Sequence, residues 1–230
     1  MTVRCYVKAR VGSLVGWNPE PMSFGARTLS KPSFMLMTVF AVGLGLFALR
    51  YAAPHPFAAP ENVSRNPFAV PFLPIHALLS AVALMVGPFQ FQATRDGQRR
   101  RWHRLCGRLY VAVCLLSAPA GLILALGATT GPVATAGFGL LAILWFFFTL
   151  SGYRAAAAGR FANHRRWMIR SYALTFGAVT LRLYLAVAIA TQMDFAPAYR
   201  VISFLAWVPN LLLVELWLRR RGRAGRLSSA

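Results

Sequence analysis

Two histidines, His103 and His164, each begin a short basic motif just ahead of an apolar run. The motifs are HRLCGRLY (103–110) and HRRWMIRSY (164–172), and both place arginine beside histidine and end in Arg-x-Tyr. Neutral imidazole is a common metal ligand, and two opposed imidazoles can hold a haem iron. Arginine binds carboxylates and phosphates through two parallel hydrogen bonds. The motifs therefore predict either a bis-histidine haem site or a pair of positively charged helix ends that hold lipid phosphate or a partner subunit.

The arginines that flank the two histidines complete the candidate site. They are expected to bind haem propionates or, alternatively, lipid phosphates: Arg104, Arg108, Arg165, Arg166 and Arg170. The likeness of the two motifs, with a one-residue offset, also suggests an internal repeat.

Six apolar runs surround these motifs, at 33–50, 72–93, 106–127, 132–153, 168–191 and 199–218. About 20 apolar residues in a helix cross the hydrocarbon core of a membrane. The chain is 57% hydrophobic and only 13% charged, whereas soluble domains are about a quarter charged. We predict an all-α, polytopic integral membrane protein: a six-transmembrane-helix bundle at 33–220, between basic tails at 1–32 and 221–230.

The basic residues predict the orientation of the bundle. The chain has 25 Lys and Arg against 5 Asp and Glu, a balance that would suggest nucleic acid in a soluble protein. Here the basic residues cluster in the tails and in two loops, and only Arg50, Arg65 and Arg200 lie on the other side. Because basic loops stay in the cytoplasm, both termini are predicted to be cytoplasmic. The charge would attract anionic lipid headgroups, and nucleic acid is not needed as a partner.

Each histidine in or beside a predicted span heads a stripe of small or polar residues at helical spacing. From His103 the stripe is Gly107, Tyr110, Cys114, Ser117 and Gly121; from His164 it is Met168, Ser171, Thr175, Ala178 and Arg182; from His76 it is Ser80, Ala83 and Gly87. Such stripes turn toward other helices. Spans three and five run in the same direction, so we expect His103 and His164 to face each other at one depth.

Polar residues inside the predicted spans are further candidates for function. Arg182 lies within span five, and an ionisable residue in the bilayer is a functional-site hypothesis; the alternative is that it pairs with backbone carbonyls or extends outward. Glu215 is expected to pair with Arg219 or Arg220. Inter-helix hydrogen bonds are expected from Gln90, Gln92 and Asn210.

Four stretches of the chain resemble a bacterial family of predicted membrane proteins of unknown function, the domain of unknown function 2306. They are GPFQF (87–91), HRLCGRLY (103–110), HRRWMIRSYALTFGAVTLRLYL (164–185) and WVPNLLLVELWLRR (207–220). The resemblance implies a six-helix, multi-pass protein of the bacterial inner membrane. It implies no activity, cofactor or catalytic residue.

The order of features in spans two and three also resembles that of the ascorbate-dependent di-haem transmembrane cytochromes b: a histidine in span two, a glycine, a basic loop and a histidine in span three. The resemblance implies a haem b on the cytoplasmic side, with ligands from spans three and five at His103 and His164. In those cytochromes a second haem is held by spans two and four, which would use His76. Span four, PVATAGFGLLAILWFFFTLSGY, contains no histidine. The resemblance therefore implies one haem site and no other cofactor.

Three classes of function fit these observations. The first is a b-type haem protein that moves electrons between a cytoplasmic donor or quinol and a membrane partner. The second is a transporter or lipid-binding protein with a polar cavity lined by Arg182 and the histidines, and the third is an accessory subunit of a larger membrane complex. No nucleophile–base constellation appears in the sequence, so whether the protein is an enzyme stays open. Met1, Met22 and Met35 are alternative starts.

Overall fold

The computed structural model describes residues 31–52, 65–91 and 97–227. The predicted N-terminal tail, except its last two residues, and Gln92 lie outside this part of the chain. The described helices, in chain order, are α1 (Lys31–Ala48), α2 (Ala69–Val86), α3 (Gly97–Leu126), α4 (Pro132–Ala157), α5 (Phe161–Thr175), α6 (Gly177–Ala190), α7 (Phe195–Leu205) and α8 (Val208–Leu227). Short 3-10 segments follow α1 at Leu49–Ala52 and α2 at Gly87–Phe91.

The six predicted membrane spans are confirmed. Helices long and apolar enough to cross a membrane occupy Pro32–Tyr51, Ala69–Phe91, Arg101–Leu126, Pro132–Ala157, Phe161–Ala190 and Phe195–Gly222. Spans three and five begin several residues before the predicted apolar runs, because arginine favours the helix and its long side chain can extend to water. His103 and His164 therefore lie within helices rather than ahead of them. Helix α8 continues to Leu227, so most of the predicted C-terminal tail is helical.

Helices α2 to α5 form a four-helix core. Each packs against the next in sequence, and α2 also contacts α5. Helix α1 packs on α2, α7 packs on α4 and α6, and α8 packs on α5. Large apolar side chains such as Leu116 and Ile189 are exposed on the outside of the bundle, where they would meet lipid. We call the end of the bundle at which α3 and α5 begin the basic end.

Spans five and six are each broken near the middle, although the sequence predicted one helix for each. Span five breaks at Phe176, just before Gly177, and span six breaks at Ala206 and Trp207. Glycine weakens a helix interior, and Pro209 lacks the N–H that would bond the carbonyl of residue 205. A Cβ on Gly177 would lie 3.2 Å from the carbonyl oxygen of Ala206. The two breaks therefore face each other.

Polar side chains satisfy the backbone at these breaks. The Thr180 hydroxyl donates to the carbonyl of Ala206, and Asn210 Nδ2 donates to Thr180 Oγ1 at 3.1 Å and to the carbonyl of Ala173 at 3.4 Å. Irregular backbone inside a membrane needs such partners. The inter-helix role predicted for Asn210 is confirmed.

Candidate functional site

His164 lies in the first turn of α5 and is held by the end of α4. Its Nδ1 donates to the carbonyl of Gly152 at 2.9 Å. A Cβ on Gly152 would lie 2.5 Å from Met168 Sδ, so glycine permits this close approach of α4 and α5. Because Nδ1 carries the proton, the neutral ring has its lone pair on Nε2.

His103 lies in the second turn of α3, and its Nδ1 is buried without a hydrogen-bond partner. Gln90, in the 3-10 segment after α2, also has a buried Nε2 without a partner. Its Oε1 lies 3.2 Å from where a Cβ of Gly107 would be, and Gly107 is one turn beyond His103 on the same face of α3. Buried polar groups are normally bonded, so two unpartnered nitrogens within about one turn of each other along the same face of α3 point to an additional ligand or water.

His103 and His164 are close enough for their charges to interact electrostatically. Both rings lie at the basic end, where α3 and α5 begin. His164 offers Nε2, and His103 has an unpartnered Nδ1. A nitrogen available on each ring is what a ligand held between two imidazoles requires.

The arginines predicted to flank the site have different surroundings. Arg104, Arg108 and Arg166 are exposed, and Arg165 is half-buried. Arg170 instead forms a two-pronged ion pair with Glu215 of α8: Nε bonds Oε1, and Nη2 lies 3.0 Å from Oε2.

The pairing of Glu215 with Arg170 corrects the predicted pairing with Arg219 or Arg220. Those arginines follow Glu215 along α8, whereas α5 brings a planar guanidinium directly to the carboxylate. A bidentate pair is the strongest form of this contact. Arg170 is therefore engaged within the bundle, and Arg104, Arg108 and Arg166 are the predicted anion ligands that stay exposed.

A buried hydrogen-bond network lies beyond the histidines, deeper in the core. Tyr110 of α3 bonds Ser171 Oγ at 3.0 Å and Thr175 Oγ1 at 2.7 Å, both on α5. From α4, Thr149 bonds Ser171 Oγ at 2.7 Å and Trp145 Nε1 donates to Thr175 Oγ1 at 2.9 Å. All five side chains are at most 5% exposed, so the predicted polar stripes of α3 and α5 turn inward and bond each other.

Sequence analysis missed the contribution of span four to this network. Trp145 and Thr149 are one turn apart in an otherwise apolar run, LWFFFTL (144–150). Their i, i+4 spacing puts an indole N–H and a hydroxyl on one helix face. That pattern was a usable signal that α4 also presents a polar stripe to the core.

His76 and Arg182 lie away from the histidine pair. His76 Nδ1 is 3.0 Å from both the carbonyl and the hydroxyl of Ser117, and its ring meets the edge of Trp145 at 6.5 Å between centroids. Arg182 is half-buried in α6 and donates to the carbonyl of Ala178 at 2.9 Å. The structure thus gives Arg182 the backbone partner that was one alternative for it, and gives His76 a place in the packed core.

The arrangement is that of a multi-pass helical membrane protein with a polar interior and a basic end. Residues 73–218 match the family model of predicted membrane proteins DUF2306. The chain belongs to this family. No curated protein and no solved structure matches it. Among the residues that the structure describes, no group of three or more His, Cys, Asp or Glu side chains could hold a metal ion, but a haem iron takes only two protein ligands.

Proposed function

We propose that this protein is a b-type haem electron-transfer protein of the membrane, with the iron held between His103 and His164. The observation that carries the proposal is the buried, unpartnered Nδ1 of His103, on a ring within electrostatic range of His164. The bond from His164 Nδ1 to the Gly152 carbonyl is the outer-shell contact that usually orients a ligating histidine and sets its tautomer. Both features fit a bis-histidine site.

The chain's own residues would do the following work around the haem. His103 and His164 would hold the haem iron, and the carbonyl of Gly152 holds the His164 ring in place. Arg104 and Arg108 supply exposed guanidiniums for the propionates. When bound, haem supplies one-electron transfer. The electron partners that fit are a cytoplasmic donor, a quinol, or another membrane subunit.

The test is the visible spectrum of the full chain purified from haem-replete cells, oxidised and then reduced with dithionite. We expect a sharp reduced α-band in the wild-type protein and its loss in His103→Ala and in His164→Ala. His76→Gln is the matched control and should keep the band, because His76 is bonded to Ser117 elsewhere in the core. A colourless wild-type protein would refute the proposal.

A second candidate function, a transporter with a polar path through the bundle, is favoured by the facing breaks in spans five and six. Broken helices near the middle of a membrane often line substrate sites, and Arg182 follows one of these breaks by less than two turns. In a background with the native cysteines replaced by alanine, Arg182→Cys should react with a small charged maleimide if a water-filled path exists. Protection of this cysteine from both sides of the membrane would exclude the path.

We also propose that the basic end faces the cytoplasm of a bacterial inner membrane, with both termini on that side. The support is the uneven distribution of Lys and Arg, together with the six spans found among the residues that the structure describes. Reporter fusions after Leu126 should indicate the outside and fusions after Ala157 the inside. The reverse result at both positions would refute this orientation.

A further inference from the structure

A small cavity lies at the basic end, where α4 ends and α5 begins. Its volume is about 210 Å³, and it is lined by Ser151, Arg154, Ala155, Arg160, Asn163 and Trp167. A cavity of this size has room for on the order of ten water molecules. It can therefore accommodate a tetrahedral oxyanion with several waters.

Regular backbone geometry shapes this cavity. Gly159 has φ +70°, Gly159 N donates to the carbonyl of Ala156 at 3.0 Å, and Arg160 N donates to the carbonyl of Ala155 at 2.8 Å. This is a helix end closed by a left-handed glycine. The closure fixes the backbone of Arg160 next to the last turns of α4, from which Arg154 projects.

The lining residues present donors and positive charge from three directions. Ser151 and Arg154 are one turn apart on α4, Arg160 comes from the connection, and Asn163 comes from the first turn of α5. None of the lining residues is acidic. Two guanidiniums that share a small cavity repel each other, and an anion between them removes that repulsion. Arginine forks match phosphate oxygens, and serine and asparagine add neutral donors.

The depth of the cavity matches that of lipid phosphates. Span four ends at Ala157 and span five begins at Phe161, so the cavity lies at the boundary of the membrane-spanning segments. Trp167 lines it on the side of α5, and tryptophan is enriched at the level of the headgroups.

We propose that this cavity is a phosphate-binding site, with Arg154 and Arg160 as its charged ligands and Ser151 and Asn163 as hydrogen-bond donors. The phosphate diester of an anionic phospholipid and phosphate free in solution share this chemistry. The proposal does not depend on haem, because none of the lining residues belongs to the histidine pair.

The experiment measures the melting temperature of the full chain in neutral-detergent micelles at constant ionic strength. Three probes are titrated separately: phosphatidylglycerol, phosphatidylcholine and inorganic phosphate. A ligand that binds only the folded state raises the melting temperature according to its affinity. Arg154→Gln and Arg160→Gln should each weaken the apparent affinity by at least about tenfold, the effect of losing a charged hydrogen bond. Arg154→Lys and Arg160→Lys keep the charge without the fork and should lose less.

Arg220→Gln is the matched control, because it removes one exposed charge from the same end of the bundle, outside the cavity. It should behave as the wild type. Stabilisation by phosphatidylglycerol but not by inorganic phosphate identifies a lipid site. Stabilisation by inorganic phosphate identifies a site for soluble phosphate. Either result supports the proposal if the stabilisation depends on both Arg154 and Arg160. The proposal is overturned if no probe stabilises the wild type, or if Arg220→Gln weakens binding as much as the cavity variants. If a Gln variant does not fold, the test uses Arg154→Lys and Arg160→Lys. An unchanged affinity for the probe in both of these variants also overturns the proposal.

Discussion

Replacement of Thr175 by valine tests the buried network that links α3, α4 and α5. Valine has nearly the same shape as threonine but no hydroxyl, so the change removes an acceptor without opening a cavity. In the wild type, Thr175 Oγ1 accepts from Trp145 Nε1 at 2.9 Å and bonds the Tyr110 hydroxyl at 2.7 Å. The cost of the substitution depends on which hydrogen bonds Trp145 and Tyr110 keep without the Thr175 hydroxyl.

The two partners differ in what remains. Tyr110 keeps Ser171 Oγ at 3.0 Å, so it loses a bond worth about 0.6 kcal/mol on average in membrane proteins. The Trp145 indole N–H is left buried with no acceptor, which costs about 1–3 kcal/mol. Because the losses at Tyr110 and Trp145 add, Thr175→Val should lower the free energy of unfolding by about 2–4 kcal/mol. Tyr110→Phe should cost only about 1 kcal/mol, because Ser171 keeps Thr149 and Thr175 keeps Trp145.

The assay is reversible unfolding in neutral-detergent micelles by added sodium dodecyl sulfate, followed by far-ultraviolet circular dichroism. Thr191→Val is the matched control: its hydroxyl is exposed and bonds only backbone of its own helix, so it should change stability by less than about 0.5 kcal/mol. In a Trp145→Phe background, the cost of Thr175→Val should fall by at least about 1 kcal/mol, because no indole N–H is orphaned. Equal costs for Thr175→Val and Tyr110→Phe would refute this account.

Three other substitutions test packing and charge. Gly87→Ala should cost about 1–3 kcal/mol, because its Cβ would lie 2.0 Å from the Tyr172 ring; Gly43→Ala, which has nothing within 4 Å, is the control and should be neutral or stabilising in the same unfolding assay. Glu215→Gln should lower the melting temperature, because it removes the carboxylate from a bidentate pair whose side chains are 19% and 29% exposed. Arg170→Lys should also lower the melting temperature, since lysine keeps the charge but lacks the fork. An unchanged melting temperature in both variants would contradict the importance of the pair.

The sequence was sufficient to predict the number of spans and the inward faces. Hydropathy gives the runs that cross a membrane, and small or polar residues at helical spacing mark the faces that pack. The stripe from His103 through Tyr110, Cys114 and Ser117 was read from spacing alone, and all three of the latter residues are at most 2% exposed.

Features that depend on contacts between distant helices were not predicted. Glu215 was assigned to Arg219 or Arg220 because these arginines are near it at the same end of span six, whereas Arg170 reaches it from another span. The break at Trp207 had a local signal in Pro209. The break at Phe176 had only Gly177, and glycine is common in membrane helices that stay continuous. That the two breaks face each other follows from packing, which no local pattern specifies.

The one-residue offset between the two basic motifs has a structural reason. Helices α3 and α5 run in the same direction, and residues seven positions after a histidine lie about 10 Å further along the axis. Tyr110 is seven residues after His103, and Ser171 is seven after His164; their hydroxyls are 3.0 Å apart. The Tyr110 hydroxyl also lies 2.7 Å from Thr175 Oγ1, one turn further along α5, so these contacts place the two motifs at the same end of the bundle. Because of the offset, the Tyr110 hydroxyl bonds Ser171, whereas Tyr172 contacts Tyr110 only through its ring, at 6.4 Å between centroids. The Tyr172 ring also packs on Gly87 of the segment after α2, and its hydroxyl donates to the carbonyl of Leu84. The small serine leaves room for the Tyr110 ring between α3 and α5, and the larger tyrosine closes the core on the side of α2.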